Sequence, residues 1–220
     1  QKTPRAPAMK RALSVAQCLS MRDDPLPMSP LWRAAVGEPE LGTVWMVWGA
    51  SGSGKTSFAL ALCKEMCRMG YRVAYDTMEE GASKSFSDAL VREHMDECGR
   101  RFVVLDNMPM DELAAWMERR RSADVVVIDS LQYSGMKYRD YKVFRDRFRG
   151  RMIVVISHAD GKEPQGATGK SVRYDASVKV YVEGHKAFAR SRYGGGEPYV
   201  IWPEEAARYW GPGGEGTKNE

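Results

Sequence analysis

No apolar run in this chain is long enough to span a membrane, and no secretory signal is visible. Charge of a single sign is also missing. Thirty-three Lys and Arg face twenty-nine Asp and Glu, and the net charge of +4 permits a nucleic-acid partner without demanding one. Cysteine is scarce. Cys63 and Cys67 lie four apart in one predicted helix, and neither they nor Cys18 and Cys98 have the further Cys or His partners that a zinc site needs. They read as free thiols of a reducing cytosol, so the expected location is cytoplasmic. No helix-turn-helix or zinc finger stands out, which removes support for sequence-specific DNA readout. The chain opens on Gln rather than Met, which reads as a trimmed or processed start.

What is present is a phosphate loop. Gly49-Ala50-Ser51-Gly52-Ser53-Gly54-Lys55-Thr56 fills every position of G-x-x-x-x-G-K-[ST], with Ser57 following. The apolar run Val44–Trp48 precedes it and a helical pattern follows, so the loop joins a strand to a helix. Its glycines let successive N–H groups turn toward phosphate oxygens, and the helix start adds its positive dipole end. Lys55 reaches the β- and γ-phosphates, and the Thr56 hydroxyl ligates Mg²⁺. The expected cofactors are therefore ATP and Mg²⁺. Downstream, Val125–Ile128 is an apolar strand ending in Asp129, which suits the second magnesium contact. The second strand ends in Glu79-Glu80. Either carboxylate could polarise an attacking water, or both could be a solvated pair.

Residues 1–30, rich in Pro, Arg and Met, are expected to be a flexible or oligomer-tethering segment, with a short helix near Lys10–Leu19. Residues 31–205 form the expected domain, and 206–220 a disordered tail. Strands are predicted at 43–48, 72–76, 102–105, 125–128 and 152–157, and helices at 55–69, 82–97, 111–121 and 139–148. This alternation indicates a parallel sheet covered on both faces. Residues 158–174 read as a Gly-rich basic loop. Three further strands, 177–183, 186–192 and 198–202, are joined by hairpin turns at Gly184-His185 and Tyr193–Gly196.

Over residues 40–203 the chain resembles the RecA-like ATPases, the group of RecA recombinase, the RadA branch-migration protein, DnaB-type helicases and KaiC-type clock ATPases. The resemblance rests on the phosphate loop, on Glu79-Glu80, on Ile156-Ser157-His158, on Gly166–Val182 and on Ala189-Arg190-Ser191-Arg192-Tyr193-Gly194. It implies an α/β three-layer fold: a mostly parallel twisted sheet, with strand order three-two-four-five-one-six-seven-eight and antiparallel hairpins at its carboxyl-terminal end. It implies Glu79 as the catalytic base and His158 as a γ-phosphate sensor in a place often held by Gln. It implies Arg190 and Arg192 as fingers reaching a neighbouring subunit's ATP, although strand alternation alone would also set two arginines on one face. The implied function is ATP hydrolysis directed at single-stranded DNA in recombination, repair or replication, by a homo-oligomeric ring or filament. Lys162, Lys170 and Arg173 are the expected phosphate contacts. Two alternatives stand beside it: a KaiC-like, protein-directed switch that does not bind DNA, and a small-molecule kinase.

Overall fold

The computed structural model describes residues 12–20 and 24–211. The strands among these residues are β1 (Val44–Gly49), β2 (Val73–Thr77), β3 (Phe102–Asp106), β4 (Val125–Asp129), β5 (Met152–Asp160), β6 (Glu163–Pro164), β7 (Val178–Glu183), β8 (Lys186–Ser191) and β9 (Tyr199–Val200). The main path runs β3-β2-β4-β5-β1-β7-β8-β9, with β6 pairing only to β5. Without the two-residue β6, this is the order the resemblance implies. Strands β3 to β7 of the path pair in parallel, and β7-β8-β9 continue antiparallel.

The parallel strands are apolar because both of their faces are covered. In β1, β2 and β5 consecutive residues face opposite layers, and both layers are filled. Trp45, Val47, Tyr75 and Val127 pack with Phe58, Leu62 and Met66 of α3 (Lys55–Arg68). Met46, Ala74, Val126 and Ile128 pack with Leu113 of α5 (Met110–Met117) and Tyr141 and Phe144 of α6 (Tyr138–Arg147). Burying one such side chain stabilises the fold by roughly 1.5–3 kcal/mol.

The remaining helices refine the expected boundaries. A short α1 (Val15–Ser20) overlaps the expected 10–19 helix, whose residues 10 and 11 lie outside the described residues, and buries none of its side chains. Leu26, Met28 and Trp32 of α2 (Pro30–Val36) are core residues, so packing begins ahead of residue 31. The backbone N–H of Ser29 donates to the buried Glu65 carboxylate of α3 at 2.6 Å, which ties this segment down. Helix α4 (Lys84–Arg92) gives way to a 3-10 segment, Met95–Arg101, in place of one long helix. The boundary drawn at residue 205 falls inside α8 (Pro203–Trp210), where Ala206 is buried and Trp210 Nε1 donates to Gly184 O at 3.0 Å. Residues 1–11, 21–23 and 212–220 of the expected tether and tail lie outside the described residues.

The largest correction concerns residues 158–174. They are not an open loop. Strand β5 continues to Asp160, turns at Gly161 into β6, and leads into α7 (Gly166–Asp175). Glycine at 166 and 169 hides the helix from propensity reasoning. Gly169 has a packing reason, since a Cβ there would stand 3.2 Å from Pro164 Cβ and 3.5 Å from Ser157 Oγ. Val172, on the same face, is fully buried.

Candidate active site

Strand β1 delivers the phosphate loop to the carboxyl edge of the sheet. It is paired on both sides, with Gly49 opposite His158 of β5 and Val182 of β7. A Cβ at Gly49 would lie 2.2 Å from Val182 O, so only glycine lets the loop leave between those strands. Gly54, at φ 104°, turns the chain into α3. Lys55 opens α3, and its Nζ donates to Ala50 O at 2.8 Å. Burial lowers its pKa, opposed by the nearby carboxylates of Asp129 and Glu79. The Ser53 hydroxyl is buried in the loop without a hydrogen-bond partner.

The second wall comes from the ends of β2 and β4. The backbone N–H groups of Met78 and Glu79 both donate to Asp129 O, at 2.5 and 3.2 Å, folding the Glu79-Glu80 turn over the end of β4. Burial pushes the Asp129 carboxyl up to about 6. Glu79 and Glu80 reinforce the shift, while a hydrogen bond from Tyr75 and the charge of Lys55 oppose it. Glu79 Oε2 lies 2.7 Å from His158 Nε2 at the end of β5. With the Nε2 proton in place, the imidazole donates and fixes the carboxylate. Gln132 braces the histidine from behind: its Oε1 accepts from His158 N at 3.2 Å and its Nε2 donates to Ser157 Oγ at 2.8 Å.

A cavity of about 300 Å³ thus brings together Ser51, Gly52, Gly54, Lys55, Thr56, Ser57, Glu79, Glu80, Asp129 and His158. Arg92, His185 and Trp202 also line it, and sequence reasoning missed all three. Arg92 Nη2 donates to Ser57 Oγ at 2.9 Å, and its guanidinium lies 5.7 Å from the centre of the Trp202 ring. An Arg on a helix and a Trp beyond the last strand carry no motif. Only the fold joins them.

Arg190 and Arg192 stand elsewhere. Arg190 pairs in register with Lys179, near the amino end of β7, whereas the phosphate loop leaves at the carboxyl end. Arg192 lies past the end of β8, in the following turn, so the two do not share one strand face. Both are exposed, and with Arg173 and Lys179 they line a separate cavity of about 330 Å³. The three expected nucleic-acid cations are dispersed. Lys162 sits in the β5–β6 turn, where its carbonyl accepts from Trp48 Nε1. Arg173 is held by Glu163 and covers the Trp48 ring. Only Lys170 is exposed on α7 beside exposed aromatics, lining a groove with Tyr138 and Tyr174. Cys63, Cys67 and Cys98 are buried free thiols and Cys18 is exposed. Burial pushes the Cys67 thiol up to about 12.

A central parallel sheet, a phosphate loop at its carboxyl edge and antiparallel strands at the far end define a RecA-like P-loop ATPase. The sequence matches the AAA domain family over residues 19–136, more than half of its length, and the chain belongs to that family. In fold it is similar to a KaiC-like protein of the hyperthermophilic archaeon Pyrococcus horikoshii OT3, with a TM-score of 0.59 and 16% identity, over 80% of this chain and 93% of that one. No curated protein matches the chain. Among the described residues no helix is long and apolar enough to cross a membrane.

Proposed function

We propose that the protein hydrolyses ATP with Mg²⁺, at sites completed by a neighbouring copy of itself. The observation that carries this reading is the convergence of Lys55, Thr56, Asp129 and Glu79 on one cavity. The donor set suits magnesium: a hydroxyl and a carboxylate, both hard oxygen ligands, beside a loop built for phosphates. Among the described residues no group of three or more His, Cys, Asp or Glu could hold a metal, in keeping with an ion that takes much of its coordination from the nucleotide and water. When bound, the ion neutralises charge on the transferred phosphoryl group.

Lys55 exchanges its contact with Ala50 O for β- and γ-phosphate oxygens. The partnerless Ser53 hydroxyl is available to the same phosphates. Glu79 takes the proton of the attacking water, and His158 orients that carboxylate until a γ-phosphate competes for the imidazole. Arg190 and Arg192 lie far from their own phosphate loop and act on ATP held by the next subunit.

The test is a mixing experiment. Glu79→Gln and Arg192→Ala proteins, each inactive alone, should recover part of the activity when co-assembled. Absence of recovery despite proven co-assembly counts against the shared site. Near-normal ATP affinity in Lys55→Ala would remove the phosphate-loop assignment itself.

A second reading, action on single-stranded DNA, is favoured by one feature. Tyr138, Lys170, Ser171 and Tyr174 line a groove of about 290 Å³, and the Tyr174 side chain is 87% exposed. Exposed rings beside lysines suit base stacking with phosphate contact. Stimulation of ATPase activity by single strands, lost in Lys170→Ala/Tyr174→Ala, supports it. No stimulation leaves the protein-directed switch.

A further inference from the structure

Tyr75 is fully buried on β2, yet its hydroxyl is committed to Asp129, a residue that lines the nucleotide cavity. It donates a hydrogen bond to Asp129 Oδ2. A phenol has a single proton, and Tyr75 commits it to this carboxylate oxygen.

We infer that Tyr75 is a positioning residue for the magnesium ion, fixing the orientation of the Asp129 carboxylate. The inference rests on the reading of Thr56 and Asp129 as the metal-binding pair. A carboxylate that binds a metal-held water needs one oxygen free and the other fixed. Tyr75 fixes Oδ2 and leaves Oδ1. Partners of this kind, one bond removed from the ion, typically change metal affinity by about 10–100-fold when removed. The ring is itself held, packing 5.1 Å from Phe86 and 6.4 Å from Phe102 between ring centres, so the hydroxyl is presented by a rigid lever.

The test measures binding, not turnover. Affinity for a fluorescent ATP analogue is determined with Mg²⁺ and with EDTA, for the parent protein and for Tyr75→Phe, which keeps the ring and removes the hydroxyl. The expected result is a magnesium enhancement that falls about tenfold or more in Tyr75→Phe, with the EDTA affinity unchanged within about twofold. Direct titration with Mn²⁺ in the presence of the analogue should weaken in parallel. An undiminished enhancement, or an equal loss with and without metal, overturns the inference, the second because it marks a packing role. A parent protein with no magnesium enhancement overturns instead the metal reading of Thr56 and Asp129. Should Tyr75→Phe fail to fold, Tyr75→Met, of similar bulk and also without a hydroxyl, is subject to the same comparison.

Discussion

Asp76 shows how one residue can be invisible to motif reasoning and still matter. It sits next to Tyr75, fully buried, with Oδ1 accepting from Met108 N at 3.0 Å and Oδ2 without a partner. Burial pushes its carboxyl up to about 6, the Met108 N–H opposes that, and Asp106 adds to it. The folded-state value is above the unfolded one, so the carboxyl favours folding fully only below about pH 4, where both states hold the proton. Between pH 4 and 6 the unfolded chain releases its proton first, and stability falls as pH rises through that window. Asp76→Asn should flatten the fall, gaining on the order of 2 kcal/mol at neutral pH relative to the parent. Chemical denaturation at pH 4 and pH 7 measures it. Glu79 belongs to the same scale but to chemistry. Glu79→Gln should retain bound ATP and slow hydrolysis by about a hundredfold or more. If Glu80→Gln is the slow variant instead, the neighbouring carboxylate is the base. Asp129 was legible because it follows an unbroken apolar run, Val125–Ile128, whereas Glu79-Glu80, past the end of β2, stood out through the resemblance. Which of the two adjacent glutamates faces the cavity's histidine was not, because that depends on the turn folded over Asp129 O.

At the scale of elements, strands read more clearly than helices. Val125–Ile128 and Met152–Ile156 are buried on both faces, so their sequence is apolar throughout and bounded by polar residues. Helix α7 hid because Gly169 serves packing against Pro164 rather than a turn. Helix α8 hid because its partners are distant in sequence: Glu183 of β7, the Gly184 turn and Phe188 of β8. That turn offers a test. Gly184 has φ 52°, and a Cβ there would stand 2.2 Å from the Tyr209 ring. Gly184→Ala should therefore dislodge α8 and cost on the order of 2 kcal/mol through steric clash and backbone strain. Thermal melting and faster proteolytic trimming after residue 202 would record it. An unchanged melting temperature would mean that α8 adjusts freely.

For the whole molecule, geometry separates what one copy does from what two must do. Lys55, Thr56, Asp129 and Glu79 meet within a single chain. Arg190 and Arg192 open from the amino end of β7, alongside Lys179, whose pKa is lowered by burial and by the charges of Arg192 and Arg173. Cations crowded in this way favour an incoming anion. Under the proposed shared site, Arg190→Ala should bind ATP as the parent does while its hydrolysis is suppressed. Specific activity of the parent should rise with protein concentration as copies associate. A specific activity independent of concentration down to the monomer would assign the complete reaction to one chain.

The sequence by itself determined the phosphate loop, the strand and helix flanking it, the acid ending β4, and through these the α/β sheet and its ATPase class. Those features are local: glycines, a lysine and a run of β-branched residues specify them within a few positions. Tertiary structure decided the rest. It converted the basic loop into β6 and α7, divided Lys162, Lys170 and Arg173 among three surroundings, and brought Arg92 and Trp202 to the cavity from distant parts of the sequence. It also set the Tyr75 hydroxyl against the Asp129 carboxylate. These are contacts between distant segments, set by which strands lie side by side, and no spacing along the chain encodes them.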